Sequence, residues 1–278
     1  MDFLGYRNKR VIVSGCFSGM GEATARRLLE LGAEVHGFDI REPNLPLASF
    51  HAIDLRDPAS VDAAVAAVGG PIDALFNCAG LPNTFPPMDV MKVNYIGTRH
   101  LTERVIPLMS RGGAVASISS TGGMGWSRRL PVLLEFAAVA GFEAAVAWCE
   151  AHPEVVAEGY SFSKEMVIVW TMLASQEFIE RGIRINCTMP GPTRTPMSEH
   201  FDRASGRAIQ EFFTQPIRRY SEPREQGDAL VFLNSAAASY VNGVVLPVDG
   251  GFMAGVATGR IDLAGMMAKS AQQRQQQQ

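Results

Sequence analysis

The segment Arg10-Val11-Ile12-Val13-Ser14 runs straight into Gly15-Cys16-Phe17-Ser18-Gly19-Met20-Gly21, then into a helical stretch, Glu22–Leu31, closed by Gly32. An apolar run without polar alternation suits a strand covered on both faces, and such strands belong to parallel sheets. Glycines between strand and helix permit a tight turn and a close backbone approach, and Gly32 suits the left-handed position that ends many helices. A second strand, Glu34–Asp39, follows and ends on an acid 18 residues after Gly21. The first 39 residues therefore spell a βαβ unit, whose crossover is right-handed in nearly all folds.

The alternation continues. Further strands are expected near Ser49–Ile53, Ala74–Asn77, Ala114–Ser119, Arg184–Met189 and Val244–Val248, with helices near Pro58–Val68, Met88–Met109, Ser161–Arg181, Met197–Thr214 and Pro223–Asn234. This order predicts an α/β fold, a single-domain doubly wound parallel sheet of the Rossmann type over residues 1–265. Two segments stand apart. Residues 123–158 hold two extra helical stretches, Leu130–Ala140 and Phe142–His152, as an insertion before the Ser161 helix. Residues 266–278 read as a low-complexity, glutamine-rich tail.

Composition removes several function classes. With 47% hydrophobic and 19% charged residues, a large core is available and global disorder is excluded. The net charge of −3 lacks the basic excess of a nucleic-acid surface. No uncharged apolar run reaches the roughly 18 residues of a membrane span, and the first ten residues lack a signal peptide's apolar core. Cys16, Cys78, Cys149 and Cys187 form no CxxC or Cys/His cluster, so no metal site and no disulfide framework is expected. A soluble, cytoplasmic protein is the expectation.

Glycines that bring a backbone to a helix N-terminus make a phosphate cradle, because free N–H groups and the helix dipole both favour an anion. A carboxylate at the end of the second strand, Asp39, accepts both ribose hydroxyls of NAD and repels the extra phosphate of NADP. NAD is the expected cofactor, with Arg41 read as a solvated surface charge. The spacing Gly15-x3-Gly19-x-Gly21 resembles the short-chain dehydrogenase/reductase family. Asn77-Cys78-Ala79-Gly80 matches that family's N-N-A-G with one change. Asn94, Ser120, Tyr160 and Lys164 fall in its catalytic order, Pro190-Gly191 with Thr195 matches its nicotinamide-side loop, and Asp249-Gly250-Gly251 its C-terminal signature. The resemblance spans residues 10–251. It implies that Gly15, Ser18, Gly19, Met20 and Gly21 hold the phosphates, Asp39 the ribose, and Asp54 and Leu55 the adenine. Asn77, Ala79, Gly80, Pro190, Gly191, Thr193 and Thr195 would complete the cofactor site, with Tyr160 and Lys164 beside the nicotinamide ribose.

Tyr160 and Lys164 stand at i and i+4, on one helix face. Oxidising an alcohol requires removal of the hydroxyl proton as hydride leaves carbon. A free tyrosine, with a pKa of about 10, is a poor base at neutrality, and a nearby ammonium is expected to lower it. Ser120, rather than Ser119, is expected to orient the substrate and stabilise charge on its oxygen, since neighbouring strand residues face opposite ways. The resemblance makes Asn94 the water-holding member of a proton relay.

Ser120 and Tyr160 lie 40 residues apart, more than is usual in the family. The long connection, with Ser14-Gly15-Cys16 and Phe38-Asp39-Ile40-Arg41, resembles the bacterial branch that holds 3α-hydroxysteroid dehydrogenase/carbonyl reductase and coniferyl-alcohol dehydrogenase. Leu81, Met124, Trp126, Met189, Pro192, Met197 and Phe201 are expected to wall an apolar substrate pocket suited to a hydrophobic alcohol or carbonyl compound. The insertion's apolar residues, Leu130, Leu133, Leu134, Phe136, Val146 and Trp148, must cover either that cleft or the neighbouring helix pair. Trp126 and the insertion are expected at the substrate entrance. A homodimer through the C-terminal strand–helix face is expected, with a homotetramer as the alternative. A catalytically idle nucleotide-sensing protein on the same fold is the rival reading.

Overall fold

The computed structural model describes residues 2–268. Seven strands form one sheet: β1 (Arg10–Ser14), β2 (Glu34–Asp39), β3 (Ser49–Ala52), β4 (Ile72–Asn77), β5 (Met109–Ile118), β6 (Arg184–Pro190) and β7 (Val245–Val248), in the order β3-β2-β1-β4-β5-β6-β7. Every neighbouring pair is parallel. Val11, Ile12, Val13, Leu75, Phe76, Val115 and Ile185 are buried, because helices cover both faces and leave no side to water. The chain travels outward from β1 to β3, returns to β4, and then travels the other way. Where the order reverses, between β1 and β4, the helices diverge and a crevice opens at the strands' C-terminal ends.

Two of the glycines expected to shape the first turn are required there by geometry. Gly15 has φ +72, and a Cβ on it would lie 2.6 Å from Ala79 backbone atoms. A Cβ on Gly21 would overlap the Gly15 carbonyl oxygen. These contacts let α1 (Gly19–Glu30) begin three residues before the expected Glu22, since its first turn contains the glycines that read as loop.

On one sheet face lie α1 and α11 (Pro223–Asn234). On the other lie α2 (Pro58–Val68), α4 (Thr98–Val105) and α8 (Gly159–Phe178). The expected Met88–Met109 helix is broken into α3 (Pro87–Met91), a wide π-type turn over Lys92–Gly97, and α4. At the end of that turn the Leu55 carbonyl oxygen lies so close to Gly97 that a Cβ there would overlap it. The strand β5 begins at Met109, ahead of the expected Ala114.

The insertion folds as α5 (Leu130–Ala137), α6 (Phe142–Ala151) and α7 (Pro153–Val156). Its apolar face covers the helix pair, α8 and the π turn, and leaves the cleft. Phe136 is fully buried, stacked on Trp148 at 4.3 Å and packed against Tyr95 at 5.4 Å and Phe162 at 5.9 Å. Arg99 of α4 donates to the carbonyls of Ala137 and Val139, 2.9 Å each, tying down the end of α5.

Between β6 and α11 come α9 (Ser198–Ser205) and α10 (Arg207–Phe212), and α12 (Phe252–Ala257) follows β7. The tail expected from 266 is helical over 263–268, its first turn fastened by the Gly265 amide donating to Asp262 Oδ1 at 2.8 Å. Residues 269–278 of that tail lie outside the described residues. No helix among the described residues is long and apolar enough to cross a membrane.

Candidate active site

Two adjoining cavities of about 350 and 360 Å³ occupy the C-terminal edge of the sheet. They share Met20, Cys78, Gly80, Thr195 and Met197, so together they form one continuous crevice. The first runs over the β1–α1 turn. It is lined by Gly15, Ser18, Gly19, Met20 and Gly21, by Asp39, Asp54 and Leu55, and by Ala79, Gly80 and Leu81. Ser18 caps α1 in extended conformation with its hydroxyl bound to no backbone amide. A Cβ on Gly15 would fill the floor of this turn. The helix end, the missing side chains and the free hydroxyl fit a nucleotide diphosphate. Asp39 takes one bond on each oxygen, from the Phe17 amide (3.0 Å) and the Arg41 amide (3.1 Å), which fixes its plane toward the crevice.

The second cavity holds the reactive groups. Tyr160 enters it from the first turn of α8, which begins at Gly159, earlier than the expected Ser161. Ser120 caps the turn after β5, accepts the Gly122 amide at 3.0 Å, and hydrogen-bonds the Tyr160 hydroxyl. Ser119 turns the other way and donates to the Lys164 carbonyl at 2.8 Å. Lys164 Nζ donates to the Ile118 carbonyl at 2.9 Å and lies 5.8 Å from the Tyr160 ring centre. Burial pushes its pKa down to about 8.

The expected lowering of Tyr160 by the lysine is not what the structure shows. Burial raises the Tyr160 pKa, and only the Ser120 hydrogen bond opposes it. Desolvation of the phenolate outweighs an ammonium that is itself buried and turned to Ile118. Asn94 sits in the π turn, and both ends of its amide are engaged: Oδ1 accepts the Leu81 amide at 2.7 Å, while Nδ2 donates to the Leu81 carbonyl (3.0 Å) and Ser163 Oγ (3.2 Å). A Cβ on Gly80 would stand 3.3 Å from Asn94 Oδ1 and 3.7 Å from Lys164 Nζ, so Gly80 keeps the gap between them clear.

Pro190, Gly191, Pro192, Thr193 and Thr195 line the reactive cavity, and Met197 and Phe201 wall it. Phe201 stands edge-on to Tyr160 with ring centres 5.0 Å apart. Three expected residues lie elsewhere. Met124, Trp126 and Met189 pack into an apolar cluster with Val167, Ile168 and Cys187, behind α8 and away from the crevice. Trp126 and the insertion helices α5 and α6 are not among the residues lining either cavity. Asn77 is also absent from the lining. Its Nδ2 bonds Thr102 and Ser117, locking β4 to α4 and β5.

The wall has members that sequence reasoning missed. Ile209, Tyr220 and Met267 join Phe213 in closing the reactive cavity, and Phe17, Ile40, Arg41 and Arg56 border the far end. Arg41 is exposed, and its guanidinium lies over the Phe17 ring at 4.0 Å. The apolar spacing of 209–213 is the one signal that pointed to any of these. Among the described residues, no group of three or more His, Cys, Asp and Glu is placed to hold a metal ion.

Residues 9–131 match the family model described as short chain dehydrogenase, and residues 149–253 the one described as enoyl-(acyl carrier protein) reductase. Coniferyl-alcohol dehydrogenase of Pseudomonas sp. (strain HR199 / DSM 7063) is 36% identical, over 88% of this chain and 96% of that protein. The chain belongs to the short-chain dehydrogenase/reductase family. Within this family, 3-alpha-hydroxysteroid dehydrogenase/carbonyl reductase of Comamonas testosteroni is 31% identical over 87% of this chain and 95% of its own length. The crystal structure of 3-alpha-hydroxysteroid dehydrogenase from Pseudomonas sp. B-0831 complexed with NADH superposes with a TM-score of 0.77 at 28% identity, covering 90% and 98% of the two chains. The protein is a short-chain oxidoreductase of the alcohol dehydrogenase/carbonyl reductase type, in the branch of these two enzymes.

Proposed function

We propose that this short-chain dehydrogenase/reductase is a cytoplasmic, NAD-dependent enzyme interconverting a hydrophobic aryl, cyclic or hydroxysteroid alcohol and its carbonyl compound. The observation that carries this reading is the meeting of Ser120, Tyr160 and Lys164 where an apolar cavity joins the crevice that ends at Asp39. Gly15, Ser18, Gly19, Met20 and Gly21 would hold the diphosphate, Asp39 the adenosine ribose, and Gly191, Thr193 and Thr195 the nicotinamide side. When bound, the nicotinamide accepts or donates the hydride.

The chain's own groups handle the oxygen of the substrate. Tyr160, a phenol at neutrality, gives its proton to the oxygen of a carbonyl compound under reduction and receives one from the alcohol in the reverse direction. Ser120 donates to the same oxygen and holds it in place as charge develops. Lys164, with a pKa of about 8, exchanges protons near neutral pH and can restore the Tyr160 proton. The gap beside Gly80, bordered by Asn94, is the way out for that proton. Phe201, Phe213 and Met197 exclude water and favour a ring over a charged or sugar-like substrate. The four free cysteines suit a reducing compartment.

The test is a spectrophotometric screen of aryl, cyclic, terpene and steroid alcohols with NAD and with NADP. Turnover of a hydrophobic alcohol with higher kcat/KM for NAD is expected, and Asp39→Ser should narrow that preference. Higher kcat/KM with NADP would overturn the cofactor assignment.

A further inference from the structure

Besides packing Phe136 against Phe162, the insertion meets the catalytic helix through a buried ion pair. Arg129, the last residue before α5, forms a two-pronged ion pair with Glu165: Nε to Oε2 at 2.8 Å and Nη2 to Oε2 at 2.6 Å. Glu165 follows Lys164 directly and is only 3% exposed. The Arg129 guanidinium also lies over the Phe162 ring at 5.3 Å and reaches Glu158 at 3.4 Å.

The segment between Ser119 and Arg129 wraps around the same turn of α8. Ser119 Oγ holds the Lys164 carbonyl at 2.8 Å. Gly123 lies so close that a Cβ there would stand 2.9 Å from the Lys164 carbonyl carbon. A Cβ on Gly125 would stand 2.9 Å from Glu165 Oε1. One short strap thus carries Ser120 near its first anchor and is pinned to the helix of Tyr160 and Lys164 at its second. A carboxylate this buried is unfavourable without its partner, so the pair holds the strap and α8 together.

We propose that Arg129 and Glu165 are positioning residues: through this pair the insertion holds Ser120 in register with Tyr160 and Lys164. This rests on the proposed proton-transfer role of Tyr160, and it assigns no contact with substrate to either residue. An error of about 1 Å in such a register lowers turnover by as much as 100-fold.

The experiment uses the full chain with an alcohol identified in the screen above. Glu165→Gln keeps the shape and removes the charge. Arg129→Lys keeps a cation and loses the fork. Gly125→Ala leaves both charges and pushes a methyl group at Glu165 from a residue with ordinary φ of −78. Each is expected to lower kcat by about 10–100-fold and to displace the pH profile of kcat. NADH affinity, read by fluorescence titration, should stay within about threefold, because the phosphate cradle lies across β1. Arg129→Lys, being the mildest, should retain the most turnover. All variants are compared well below their melting temperatures, and Gly125→Ala and Arg129→Lys serve if Glu165→Gln fails to fold. Wild-type kcat and pH profile in the folded variants, with only a lowered Tm, would overturn the proposal. Tyr160→Phe is run in parallel: if it stays active, the proton-transfer reading fails; if it is inactive while the strap variants match wild type, the positioning proposal alone fails.

Discussion

Tyr160 is kept protonated by its burial, and that sets the direction of its pH response. Reduction uses the phenol and should slow as pH rises into the alkaline range, whereas oxidation needs the ionised form and should accelerate over the same interval. Initial rates in both directions from pH 6 to 10 check this, and parallel rises in both would refute it. Tyr160→Phe should lose about 10²–10⁴-fold in kcat while still binding NADH. Lys164 makes a separate prediction about stability. Its folded pKa, about 8, lies below the ordinary 10.5. The unfolded chain therefore binds more protons between those values, and the burden of the buried ammonium lifts as pH rises through that window. Between pH 7 and 10, wild type should gain about 2–3 kcal/mol relative to Lys164→Met. Urea unfolding of both proteins at the two pH values measures it, and an unchanged difference would contradict the depressed pKa.

The elements were legible wherever a local signal decided them. β1 and β2 are unalternated apolar runs or end on a marked acid, and α2 and α11 each begin with a proline, so their bounds fall at the expected residues. Local signals misled at Gly19, where glycines belong to the helix, and at Lys92–Gly97, where a wide turn packs Gly97 against the distant Leu55 carbonyl. The cleft was less legible than the fold. Met124 and Trp126 have the same chemistry whether they line a pocket or fill a core, and only packing distinguishes the two. The insertion's dependence on the helix pair can be measured. Phe136→Ala removes a fully buried ring between Trp148, Tyr95 and Phe162 and should lower stability by about 3–5 kcal/mol. Chemical unfolding reads it, and a loss below about 1 kcal/mol would mean the insertion docks only loosely.

At the scale of the molecule, the insertion covers part of α8 and the π turn, while the β7 side carries exposed apolar residues. Phe232 on α11 is 41% exposed and Tyr240, just before β7, is fully exposed. A homodimer through this face is expected, and Phe232→Glu with Tyr240→Glu should give monomers in sedimentation velocity; a wild-type monomer would reject the arrangement. The two ends of the described chain also differ in position. Near residue 2, Leu4 is held by the Ala236 amide at 3.0 Å, at the rim where strands begin. Residue 268 follows Met267, which borders the reactive cavity. A bulky group attached directly after Ala268 would sit beside the cavity proposed for substrate. An affinity tag or a solid support attached there should raise KM for bulky alcohols, whereas the same attachment at the amino end should leave their KM unchanged.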